Sequence, residues 1–292
     1  MPESPQLLAD GSVLAHKGPM FLNILAIRKR QPDAQLARAG VVIAFSLLDT
    51  LAKSKDVIIS SIVKLDMKAA YPPVVRRMIT AVLDTGDKTL TPLAAVAGAV
   101  SDEVADFIFQ HEGVSKVVVN NGGDIAIRLR DNEVATVGIN LDCSRNTVSA
   151  ILTIREEAAG VATSGFGGRS FTKGIASASV VWAQSASLAD ALATILGNAT
   201  NADDGNVQRR LAEEIYPGTD IPGHLVTTSV GEISAIKVEE ALEGGTALVR
   251  KLRQQGLVFE ALLAVKGQAR ATDRMLGRLE GIASIWNSPS SG

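Results

Sequence analysis

Cysteine and histidine are scarce in this chain. Cys143 stands alone, and the three histidines (His16, His111 and His224) lie far apart. One cysteine forbids an internal disulfide or a cysteine-based zinc cluster, and no histidine pair has the spacing of a metal motif. Aromatics are 4% of the residues, so the core must be built from Ala, Val, Leu and Ile. Neither sign of charge dominates, with 29 Lys and Arg against 31 Asp and Glu. Without a long basic block or aromatic stacking platforms, nucleic acid is not an expected partner. The N-terminal MPESPQLLAD has no apolar signal core. The longest apolar run, residues 40–48, falls short of the ~20 residues that cross a bilayer. A soluble, cytoplasmic protein with no membrane partner is the expectation.

What is present is an ordinary globular balance, 46% apolar and 21% charged over 292 residues. Strands are expected at 20–27, 116–119, 125–129, 134–139, 148–155, 178–183, 227–230 and 257–265. Helices are expected at 34–53, started by Pro32-Asp33, and at 74–84, with Arg76 and Arg77 on its exposed side. A helix of small residues follows Pro92 in LTPLAAVAGAVSDEV, and two more run over 187–199 and 238–254. Residues 57–65 read as strand or mixed structure, and 202–223 as a polar excursion. The order lacks the regular strand–helix beat of a doubly wound sheet. The fold class is therefore α+β, with mixed or antiparallel sheets packed against helices. Residues 1–271 are expected to form one compact domain of two sub-layers, followed by a C-terminal helix and a loose tail over 272–292.

Three stretches could carry chemistry. In Asn120-Asn121-Gly122-Gly123-Asp124 the glycines permit positive φ and a close approach to the backbone, while the amides and the carboxylate offer polar contacts. It reads either as a bulged hairpin or as a ligand-lining turn with Asp124 as acceptor. Thr163-Ser164-Gly165-Phe166-Gly167-Gly168-Arg169-Ser170 can present successive N–H groups, two hydroxyls and a planar guanidinium to an anion. It matches neither the Walker loop nor the dinucleotide fingerprint, and a flexible loop is the other reading. In Ser187-Leu188-Ala189-Asp190-Ala191-Leu192-Ala193-Thr194, Asp190 and Thr194 share a helical face and could hold a hard cation such as Mg²⁺. Ser187-x-x-Asp190 also resembles a capping box, which would account for both residues but not for Thr194.

Taken in order, VNNGGDI, VATSG and SLADALATILGN resemble the ApbE superfamily of FAD:protein FMN transferases, whose consensus runs N-x-G-G-D-I, A-T-S-G and A-D-A-x-A-T. The stretches YPPVVRRM, LTPLAAVAGAVSDEV and VGEISAIKVEEALEGG resemble a compact ApbE-like branch more closely. The resemblance covers about residues 57–267. It implies Mg²⁺ at Asp190 and Thr194. It places Thr163, Ser164 and Gly165, with Gly168 and Ser170 of the same turn, along the nucleotide site, and Asn120, Asn121, Gly122, Gly123 and Asp124 near the ligand. In the transferases Mg²⁺ bridges the FAD pyrophosphate while a protein threonine attacks and AMP leaves.

The expected ligand is thus a flavin nucleotide such as FAD, or a similar anionic small molecule, with a protein acceptor open. Homo-oligomers, dimers first, are expected on general frequency. Departures from the pattern matter. Ala97-Gly98 stands where the transferases have Lys-Gly, and no His-x-x-x-P-x-x-G segment follows the T-S-G turn. The compact branch's G-H-S and G-x-A-D are here Gly168-Arg169-Ser170 and Gly174-Ile175-Ala176-Ser177. Arg169 can grip an anion but is a poor proton shuttle. The alternatives are a non-catalytic cofactor-binding protein, or a hydrolase or isomerase of a small anionic substrate with Asp124 as its base.

Overall fold

A computed structural model describes residues 5–145 and 147–281, so the SPSSG end of the tail lies outside the described residues. The fold is α+β, with antiparallel sheets and packed helices, as the sequence leads one to expect. Its contacts divide the chain into two compact units. The first comprises residues 1–135, 154–162 and 182–191; the second comprises 136–153, 163–181 and 192–292.

In the first unit an antiparallel sheet runs in the order Gln6–Leu7, Val13–Lys17, Met20–Arg28, Val114–Asn121, Asp124–Leu129 and Ala158–Ser164. Side chains alternate across a strand, and in Met20–Arg28 the buried set is Met20, Leu22, Ile24 and Ala26. Against this sheet pack the helices Ala34–Lys53 and Val96–Phe109. Asp33 starts the former, its carboxylate accepting from Leu36 N–H at 2.9 Å, as the Pro-Asp signal implies. By length and composition alone, Ala34–Lys53 could cross a membrane; here Leu36, Ala37, Gly40, Val41 and Ala44 are buried.

Residues 57–65 correct the strand reading. They complete the short helix Lys55–Ile58 and pass through a 3-10 turn, Ile62–Lys64. The β-branched residues there serve a turn that buries Ile58 and Ile62, so burial has overridden propensity. The helix Pro73–Thr85 ends at Gly86 in the left-handed region. Its Arg77 does not simply face solvent: it binds Glu103 and Asp106, each at 2.8 Å.

The second unit holds the three-stranded sheet Leu279–Glu280, Ala150–Ile154, Ala135–Ile139. It also holds the strand Ala178–Ala183 beside the hairpin Glu260–Val265 and Gln268–Ala271, with the helix Ala235–Gln254 packed on that hairpin. The polar excursion 202–223 is partly ordered. It supplies the strand Val207–Leu211, which pairs with Leu225–Val230 across a bulge at Gln208/Arg209, and the one-turn helix Ala212–Ile215. The polar run Gln208-Arg209-Arg210 hid that strand, because only Val207 on it is buried.

The helix Ala186–Ala199 starts in the first unit. Its first residues lie so close to the sheet and to Val96–Phe109 that two glycines are required. A Cβ on Gly160 would stand 2.1 Å from the Ser185 carbonyl, and one on Gly98 would stand 2.2 Å from Ala186 O. Gly160→Ala is therefore expected to destabilise the protein by about 1–3 kcal/mol through overpacking. Urea unfolding should show a lower midpoint at unchanged slope.

Candidate functional site

The turn at 120–124 is built as a tight hairpin. Asn121 pairs with Asp124 across it, and Gly122 and Gly123 take φ of +67° and +113°. Positive φ at both central residues is what a two-residue hairpin between twisted strands demands. Asn120 Oδ1 accepts from Gly123 N–H at 2.8 Å, so this side chain closes the turn. Gly122 N–H donates to Phe21 O at 3.0 Å. Asn121 is buried, and its amide donates to Ala97 O at 3.4 Å. Asp124 is half-buried, and its carbonyl accepts from Ser101 Oγ at 2.8 Å. The hairpin thus seats itself on the first two turns of the helix Val96–Phe109.

Asp190 arrives at the same place from the helix Ala186–Ala199. Its Oδ2 accepts from Gly98 N–H at 3.0 Å. Ala97 and Gly98 are the second and third residues of Val96–Phe109, where backbone N–H groups lack intrahelical partners. A carboxylate there also meets the positive end of the helix dipole. Burial, and next the charge of Asp124, push the Asp190 carboxyl well above the usual carboxylate range; hydrogen bonds from Gly98 and Ala97 oppose them. The residue keeps some solvent surface although its carboxyl is packed among protein atoms.

The capping-box reading of Ser187 and Asp190 is corrected. Leu188 N–H donates to Ser185 Oγ at 3.3 Å, so Ser185 supplies the local cap. Ser187 Oγ donates instead to Asp102 Oδ2 at 2.8 Å. Asp102 is fully buried and takes three hydrogen bonds from the start of this helix, the others being from Ala186 N–H at 3.1 Å and Ser187 N–H at 2.8 Å. Sequence reasoning passed over Asp102, which reads there as one acid among several in SDEVAD. Its signal was that it lies on the face of small residues.

In the second unit, residues 163–170 are pinned at their start. Phe166 N–H donates to Ala176 O at 2.7 Å, and Gly168 N–H to Gly165 O at 3.2 Å. Gly165 lies against the Ser177 carbonyl, where a Cβ would come within 2.7 Å, and Gly167, at φ +85°, lies against Ser144. Thr163 and Ser164 end the strand Ala158–Ser164 and are half-buried, while Gly168, Arg169 and Ser170 are exposed. Ser177, at the position where the resemblance calls for Asp, donates through Oγ to Leu141 O at 3.0 Å. It also receives Cys143 N–H on its own carbonyl at 2.9 Å. Thr194 stands one helical turn beyond Asp190, half-buried, in the second unit.

Asn121, Asp124 and Asp190 therefore converge with Ala97 and Gly98 in the first unit. Thr163, Ser164, Gly165, Gly168, Arg169 and Ser170 share one turn in the second. Among the described residues no three His, Cys, Asp or Glu side chains are grouped to hold a metal ion. Mg²⁺ characteristically takes only one or two carboxylates and keeps several waters. Asp190 and Asp124 are two such carboxylates, the former made unfavourable as an anion first by burial and then by the charge of the latter.

The family model described as AbpE bacteria matches residues 6–271. A UPF0280 protein of Methanopyrus kandleri is 36% identical over 140 residues, covering 48% of this chain and 54% of that protein. One of Methanosarcina barkeri is 37% identical over 139 residues, covering 47% and 53%. The chain spans about half the length of these curated relatives. Among solved structures, the flavin transferase ApbE from Vibrio cholerae aligns over 94% of this chain and 100% of that one, with a TM-score of 0.41 and 14% identity.

The Asp190 shift fixes a pH dependence. Between the ordinary value of 3.8 and the raised folded value, the unfolded chain binds fewer protons than the folded one, so Asp190 makes stability fall as pH rises through that window. Asp190→Asn keeps an oxygen for Gly98 N–H and removes the charge. In metal-free buffer at about pH 8 it should melt above the wild type, and the gap should close toward the unfolded-state value near pH 4. Calorimetry across pH checks this.

Proposed function

This chain belongs to the AbpE bacteria family, within the ApbE-like superfamily, and we propose that it binds a flavin nucleotide or a similar anionic small molecule with Mg²⁺. The observation that carries this reading is the pair of carboxylates, Asp124 and Asp190, brought together beside Ala97 and Gly98, with the proton affinity of Asp190 raised. Two acids so placed favour a hard cation, and Thr194 follows on the same helical face. Asp190 and Thr194 would hold the ion, which when bound supplies charge neutralisation to a phosphate group.

The turn 163–170 supports the anion-binding half of the proposal. Its glycines are held in place by Ala176, Ser177 and Ser144, so their backbone groups are ordered in advance of a ligand. Arg169 presents a guanidinium from the exposed side, suited to phosphate or carboxylate. The reaction that fits is transfer of a flavin or nucleotidyl group from a dinucleotide such as FAD.

A second reading, binding without turnover, is favoured by Ser177. Its hydroxyl is committed to Leu141 O, so the position supplies a scaffold contact in place of a carboxylate. Asp124 is the base that a hydrolase or isomerase would need, and Asp124→Asn separates that case by abolishing turnover while ligand binding persists.

The direct test is thermal unfolding with Mg²⁺ and FAD, FMN, AMP, ADP or small carboxylates. A ligand at a hundred times its Kd adds about 2.7 kcal/mol. A Mg²⁺-dependent rise with FAD, followed by AMP release, is the expected result for the transferase; a rise without AMP release selects the binding protein. Arg169→Ala should weaken the anionic ligand by about 1.5–3 kcal/mol. No rise with any flavin or nucleotide overturns the proposal.

A further inference from the structure

Asp102 lies outside every motif that marked the site, yet both oxygens of its carboxylate are bonded more than once. Oδ1 accepts from Ala186 N–H at 3.1 Å and from Arg128 Nη2 at 3.0 Å. Oδ2 accepts from Ser187 N–H and Ser187 Oγ, both at 2.8 Å, with Arg77 Nη1 at 3.8 Å. With Leu188 N–H on Ser185 Oγ, the first three N–H groups of the helix Ala186–Ala199 are already bonded. A helix N-terminus commonly receives a phosphate; here a protein carboxylate occupies that place. The helix can therefore offer a ligand only its side chains, and the depth at which they stand is set by Asp102.

Asp190 lies one turn beyond those bonded groups. Its contact with Gly98 N–H spans 3.0 Å between two helices, and a slide of the helix by a few tenths of an ångström would lengthen or break it. Gly98 and Gly160 limit travel toward the sheet by backbone contact, since a Cβ on either would overlap Ala186 or Ser185. Asp102 limits travel away. Arg128 holds Asp102 from behind and is itself fixed by Asp106 at 2.8 Å.

We propose that Asp102 is a positioning residue that sets where the Asp190 carboxylate stands. It touches no ligand; it acts through the helix start. The metal arm of the following test rests on the proposed function, whereas the amide arm does not.

Amide exchange of Gly98, read by NMR in the full chain, reports the Asp190 contact directly. In Asp102→Asn the Gly98 amide should exchange about tenfold faster than in a control, Val41→Ala, compared at equal loss of global stability. Ser187→Ala, which removes one bond to Asp102 and is milder, should shift Gly98 in the same direction by less. Asp102→Glu, which restores the carboxylate, should recover part of the protection. If Asp102→Asn does not fold, Ser187→Ala decides: unchanged Gly98 exchange there, or equal exchange in Asp102→Asn and Val41→Ala, overturns the proposal. In the second arm, Mg²⁺ titration should show Asp102→Asn binding roughly 10-fold or more weakly than wild type. Wild-type protein that takes up no Mg²⁺ would sink the metal reading and leave the Gly98 result to judge Asp102.

Discussion

Two helices in the first unit cap each other. Val96–Phe109 sends Asp102 to the start of Ala186–Ala199, and that helix sends Asp190 back to the start of Val96–Phe109. Each carboxylate accepts N–H groups that a helix cannot satisfy by itself and meets the positive end of the opposite dipole. Such an exchange demands that the two N-termini lie almost in contact. This explains the run of small residues: Gly98, Ala99, Ser101 and Ala105 are buried, and Gly160 leaves room beneath Ser185. The hairpin at 120–124 then rests on the first two turns of Val96–Phe109, Asn121 reaching Ala97 O and Ser101 reaching Asp124 O.

The two carboxylates are treated differently by their surroundings. Asp102 is fully buried but faces Arg128 and Arg77, and Asp106 and Glu103 extend the network outward. A buried charge is tolerated when its partners and hydrogen bonds are this complete, and truncating one partner exposes the full desolvation penalty. Asp190 gains N–H donors, yet burial and Asp124 outweigh them and hold its proton more tightly. One acid is thereby tied into the scaffold by its partners. The other is left with an unfavourable charge, which is the property expected of a group that waits for a proton or a cation.

The elements with strong periodicity were readable from sequence. The helices Ala34–Lys53 and Ala235–Gln254 and the strands on either side of Gly122-Gly123 lie where pattern and caps predict. The strand Val207–Leu211 was hidden because Gln208, Arg209 and Arg210 interrupt any apolar alternation, and the turn at 57–65 because branched residues serve there as turn core. The hairpin was legible as a motif, but the employment of its amides was not. Asn120 closes the turn locally, and Asn121 reaches Ala97 O, a contact that depends on a helix more than twenty residues upstream. Asp102 was invisible for the same reason. Its partners Ala186 and Ser187 are 84 and 85 residues away, and no local spacing encodes such a bond.

The departures from the transferase pattern take on physical meaning in this frame. Where the transferases carry Lys-Gly, Ala97-Gly98 offers only backbone: an N–H to Asp190 and a carbonyl to Asn121. From residues 97 and 98 Asp190 therefore meets main-chain donors and no side-chain cation. Ser177 gives a hydroxyl to Leu141 O and its carbonyl to Cys143 N–H, so it ties the 141–143 loop to the floor of the Gly165 turn. Arg169, where the compact branch has His, stands on the exposed rim of the same turn. A fixed cation at that rim raises affinity for an anion and removes a group that titrates near neutrality. At these two positions the second unit thus presents a fixed cation and a hydroxyl already bonded to the main chain.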